Sequence, residues 1–98
     1  MTVIKDEFKK LVDPSVDSVP IDLRDFTVHS CMTFLSEMLK IRLVEKKLAE
    51  AKRDGLIGGP VHLGVGQEAV AVGVSAHLIK TDRVFGAHRS HSHVLALG

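Results

Sequence analysis

The sequence predicts an α/β chain that is mostly helical over this stretch, on three observations. Residues 29–53 carry an apolar stripe at helical spacing. Residues 55–66, GLIGGPVHLGVG, hold five glycines and one proline around a short apolar alternation. Residues 67–79, QEAVAVGVSAHLI, are apolar on nearly every side.

Each segment follows from its residues. Ile4, Phe8, Leu11 and Val12 fall at helical spacing, so a short helix is expected before Asp13-Pro14 stops it. Residues 13–26 mix two prolines and four aspartates with scattered apolar residues. They read as an extended arm whose Val19, Ile21, Leu23 and Phe26 pack on a neighbouring surface, or as a plain disordered leader. Residues 1–28 together form an N-terminal arm.

From 29 to 53, Phe34, Leu35, Met38, Leu39, Ile41, Val44, Leu48 and Ala51 step by threes and fours and predict one buried stripe. The charges Glu37, Lys40, Lys46, Lys47 and Glu50 form a solvated face. Lys52 and Arg53 suit the negative end of the helix dipole, and Gly55 suits the stop. Val61, Leu63 and Val65 alternate like a short strand, which turns His62 away from its apolar neighbours and toward a cavity. Residues 67–79 suit a helix buried on most sides, although a Val-rich run also suits a buried strand. Gln67 and Glu68 open it, where a carboxylate suits the helix dipole. Arg83 to Ala87 reads as a second short strand, and residues 93–98 as the opening of another helix.

Composition excludes several roles. With 13 basic and 12 acidic residues the net charge is +1, which gives no basic stripe for nucleic acid or a membrane surface. Four phenylalanines are the only aromatics, too few for a base-stacking platform. Cys31 is the single cysteine, which suits a reducing compartment, and it reads as a small buried hydrophobe. No apolar run approaches membrane-span length, so a cytoplasmic chain is expected.

The residues able to carry chemistry gather at two places. His62 is suited to donate to a substrate oxygen or to act as a general acid, and is equally suited to a structural loop role. His88, Arg89, His91 and His93 form the run HRSHSH. Arg89 lies between a strand and a helix start, where a guanidinium grips phosphate or carboxylate bidentately. The H-x-x-H-x-H spacing invites a zinc reading, but no cysteine pair accompanies it, and no metal ligand is assigned. His29 and His77 read as structural.

The motifs His62-Leu63-Gly64-Val65-Gly66-Gln67-Glu68-Ala69, Asp82-Arg83-Val84-Phe85 and His88-Arg89-Ser90-His91-Ser92-His93 closely resemble one family. It is the alpha subunit of the thiamine-diphosphate-dependent 2-oxo acid dehydrogenases, of pyruvate, branched-chain and acetoin type. The resemblance covers residues 29–98 and implies the N-terminal part of a doubly wound thiamine-diphosphate-binding domain. The implied reaction is oxidative decarboxylation of a 2-oxo acid, with acyl transfer to a lipoyl group. The implied partners are a beta subunit, in a heterotetramer, and a lipoyl-bearing acyltransferase component.

Carried over by motif, Arg89 holds the diphosphate and His88, at a position that is often Tyr, stands beside it. His62 is the catalytic contact to the substrate oxygens, and His91 and His93 line the same substrate pocket. Mg2+ ligands are expected outside this stretch, since no Gly-Asp-Gly occurs here. Alpha chains of the family are several times longer, so an N-terminal portion, inactive alone, is expected. The alternatives are a non-catalytic interaction piece docking through residues 67–79, and a small His-rich zinc module.

Overall fold

The computed structural model describes Ser15 and residues 22–98. The expected helix at 4–12, and Val19 and Ile21 of the arm, lie outside the described residues. Three helices follow: α1, Val28–Arg53; α2, Glu68–Ser75; and α3, His91–Leu97. They pack on one another pairwise.

Helix α1 begins and ends for local reasons. The Thr27 hydroxyl accepts the Ser30 N–H at 3.1 Å, which satisfies one of the donors a helix start leaves open. At the other end Gly55 takes φ +75°, a conformation that favours glycine. The Gly55 N–H then donates to the Lys52 carbonyl at 3.1 Å, and the Leu56 N–H to the Ala51 carbonyl at 2.9 Å. This paired closure is the Schellman motif. Lys52 does more than suit the dipole: its ammonium donates to the carbonyls of Ile57 at 3.3 Å and Gly59 at 2.5 Å, which folds the glycine loop back on the helix end.

The core is small. Ile41, Ala71 and Val72 are buried at the junction of the three helices, and Phe34, Met38, Leu95 and Ala96 pack around them. In front of α1, the Phe26 ring meets Phe34 edge-on at 6.0 Å, so that part of the arm does pack on the helix, while Leu23 stays exposed.

Several expectations need correction. The described residues contain no strand, so the two short strands and the doubly wound sheet are absent from them. Extended backbone becomes a strand only beside a neighbour that pairs its N–H and C=O groups. Residues 61–63 do keep an alternation: Val61 and Leu63 are half-buried and His62 is exposed. At Gly64 the chain turns instead, and the Gln67 N–H donates to the Gly64 carbonyl at 3.0 Å.

The helix expected over 67–79 stops at Ser75, and it is not buried on most sides. Ala71 and Val72 face the core, whereas Val70 and Val74 are 69% and 57% exposed, because α1 and α3 cover one face only. The single stripe on α1 is really two. Ile41 turns inward with Phe34 and Met38 packed beside it, while Leu35 and Leu39 turn outward beside Met32 and Leu43. Cys31 is half-buried rather than buried. Helix α3 starts at His91, two residues earlier than expected.

Candidate functional site

Two buried carboxylates tie α1 to the glycine turn and its surroundings. The first belongs to Glu68, at the opening of α2. Arg42 on α1 reaches it side-on: Nε donates to Oε1, and Nη2 to Oε2 at 3.1 Å. The Gly66 N–H also donates to both Glu68 oxygens at 3.1 Å. Gly66 has φ +92°, so the turn that offers this N–H favours glycine. The bond from Arg42, helped by the backbone donors, outweighs desolvation and holds the Glu68 carboxyl down at about 2.

The second carboxylate is Glu45, one turn beyond Ile41 and 1% exposed. It accepts the Gly64 N–H at 3.3 Å. A Cβ built on Gly64 would stand 3.2 Å from Ser92 Oγ and 3.8 Å from Glu45 Oε1. Gly64 therefore has α1 on one side and α3 on the other, and a side chain there would press on the Ser92 hydroxyl.

Next to these anchors lies a cleft of about 500 Å³. His62 from the glycine loop, His88 from the turn before α3 and His91 from its first turn all line it, with Leu48, Ile57 and Val61 as its apolar wall. The His62 and His88 rings meet edge-on at 4.7 Å. Arg89 is exposed in the turn beside His88. His93 is elsewhere. It lines a separate cavity of about 220 Å³ with Val70, Val74, Val84 and Phe85. Residues two apart on a helix point to nearly opposite sides, so His91 and His93 do not share a wall. Among the described residues, no group of three or more His, Cys, Asp or Glu is placed to hold a metal ion.

Residues 36–98 match the family model described as dehydrogenase E1 component. The chain belongs to the dehydrogenase E1 component family. It is 43% identical over 72 residues to the alpha subunit of acetoin:2,6-dichlorophenolindophenol oxidoreductase from Bacillus subtilis, covering 74% of this chain and 22% of that one. It is 40% identical over 76 residues to the pyruvate dehydrogenase E1 component subunit alpha of Rhizobium meliloti, covering 78% and 22%. Against the mitochondrial pyruvate dehydrogenase E1 alpha subunit of Dictyostelium discoideum the identity is 33% over 95 residues, covering 97% and 25%. The chain thus spans between a fifth and a quarter of the length of these relatives. No solved structure matches it.

Within this E1 chain, reading by motif finds the histidines and Arg89 but misses Glu45 and Arg42. Both stand among the charges of α1, and the signal for Glu45 was its register. It sits four residues after Ile41 and three before Leu48, on the apolar side. Glu68 can be read from the sequence as a first-turn carboxylate or as a buried acid, and it is both. His77 keeps a structural place, its Nδ1 2.7 Å from the Gly73 carbonyl oxygen.

The turn carrying His88 and Arg89 depends on Gly86. A Cβ there would lie 2.6 Å from Ser90 Cβ, closer than packed atoms approach, and Ser90 Cβ has no freedom to swing aside. Gly86→Ala is therefore expected to displace the 86–90 turn and cost about 2 kcal/mol, as overpacking does. Urea unfolding measures the cost, and a loss below a few tenths would refute the close approach.

Proposed function

We propose that this chain forms one wall of a thiamine-diphosphate site in the alpha subunit of a 2-oxo acid dehydrogenase. The observation that carries the reading is the meeting of His62 from the glycine loop with His88 and His91 from the run 88–93 in one cleft, with Arg89 next to His88 in the chain. Membership of the E1 family supports it further.

The donor set fits the cofactor. The cleft is lined by imidazoles and apolar side chains, a guanidinium stands in the adjoining turn, and no carboxylate lines it. Such a set suits a phosphorylated anion. Arg89 and His88 would hold the diphosphate, and the Mg2+ ligands would come from outside these residues. When bound, thiamine diphosphate supplies the carbon nucleophile and electron sink for decarboxylation.

The chain's own residues supply the rest. His62 donates to the substrate oxygens and stabilises the charge that develops on them. His91 lines the same wall. His93 belongs to the substrate pocket only through its motif position. Leu48, Ile57 and Val61 exclude water from that side, which strengthens each polar contact made there. The helical part described here is one portion of a doubly wound thiamine-binding fold. The alpha-subunit relatives support a beta subunit as partner, and a lipoyl-bearing acyltransferase is proposed as the acceptor of the acyl group. No helix among the described residues is long and apolar enough to cross a membrane.

The test is the Arg89→Leu substitution in the alpha subunit assembled with its beta subunit. Loss of a bidentate pair to phosphate removes about 3 kcal/mol, or roughly a hundredfold in affinity. Calorimetric titration with thiamine diphosphate and Mg2+ should show that weakening. Unchanged affinity would remove Arg89 from the cofactor site and the reading with it.

A further inference from the structure

We infer that Glu45 is a positioning residue that fixes the ring orientation and tautomer of His91. The inference rests on the proposed site only for what His91 faces. The Glu45–His91 geometry stands without it.

His91 Nδ1 is shielded from solvent and meets no hydrogen-bond partner at ordinary geometry. The group it faces is Glu45 Oε1, 3.5 Å away, on a side chain that is 1% exposed. The other Glu45 oxygen is engaged by the Gly64 N–H. A carboxylate accepts hydrogen bonds and donates none. With Nδ1 protonated, an N–H dipole points at a buried anion. With Nδ1 bare, a lone pair points at it, and in a shielded place that arrangement is costly. The proton therefore belongs on Nδ1, and Nε2 is left as the acceptor of the ring. The same carboxylate holds the backbone two residues beyond His62. Glu45 thus sets two histidines of one cleft from a single buried point.

No activity is needed to read this. Nitrogen NMR of the 98-residue chain, at pH 8.5 and without cofactor, reports which ring nitrogen carries the proton. The expected spectrum has His91 protonated at Nδ1 and bare at Nε2. A ring bare at Nδ1 and protonated at Nε2 overturns the inference. Glu45→Gln sharpens the test, because glutamine can still accept from Gly64 while its amide now donates to Nδ1. The expected result is a swap, with Nε2 protonated and Nδ1 showing the shift of an unprotonated nitrogen. A folded variant that keeps the wild-type pattern overturns the inference. The wild-type spectrum decides by itself should the variant not fold. A failed Arg89 titration would leave either NMR result standing, so the two readings fail separately.

Discussion

Ile41→Ala is expected to cost about 3 kcal/mol and lower the melting temperature by roughly 15 °C. Ile41 is fully buried where the three helices meet, and among the described residues only Ala71 and Val72 are buried hydrophobics beside it. Phe34, Met38 and Leu95 pack against it from the rim, and their partial collapse into the space a removed side chain leaves keeps the cost in the middle of the usual range. Small cores supply only about 3–5 kcal/mol of net stability, so the loss is comparable to the whole. The site should suffer as well, since Ile41 holds α1 against the elements that carry Glu68 and His91. Thermal melting followed by circular dichroism measures the effect, with Ile41→Val as a control expected to lose only about 1 kcal/mol. A shift of two or three degrees for the alanine variant would mean that this junction does not hold the helices together.

The second large effect is acid sensitivity through Glu68. Its carboxyl is held at about 2 in the folded chain, below the ordinary value of 4.5, first by the bond from Arg42. A depressed folded value means that the unfolded chain binds the proton more readily. The stabilisation is therefore fully present above about pH 4.5 and is lost as pH falls from there toward 2. Glu50, held down by Lys47, and Asp22, held down by Arg24, shift the same way at the surface. The Glu68 contribution must accordingly be read as a difference between variants. Glu68→Gln should be less stable than wild type at pH 7, and the gap should narrow as pH falls to 3. Arg42→Met should behave differently. It leaves the carboxylate buried without its cation, so acid should recover part of its deficit. Urea unfolding at pH 7, 4.5 and 3 separates these cases. Parallel curves for all three chains would show that the pair does not contribute to stability.

Much of α1 was legible because its signals are local. A helix of 26 residues repeats its period many times, Thr27 and Ser30 close its start, and Gly55 closes its end within five residues. The excess of apolar residues on α1 was harder to read. Leu35 and Leu39 share a helical register with Leu43, a second face that the stripe through Phe34, Met38 and Ile41 had absorbed. The expected strands failed for a different reason. Alternation at 61–65 and 83–87 describes a chain that could pair, and pairing requires a neighbour that the described residues do not contain.

The sequence by itself determined the span of α1, the two histidine-bearing motifs and the family, since each depends on residues close together along the chain. Only the tertiary structure decided which charges are buried and which histidines share a wall. Arg42 and Glu68 are 26 positions apart, and Glu45 and Gly64 are 19 apart. His62 and His88 meet only after α2 has brought the chain back. Burial and charge pairing are properties of such distant meetings. A glutamate on an apolar helix face reads as an ordinary surface charge until the loop and helix that cover it are in place.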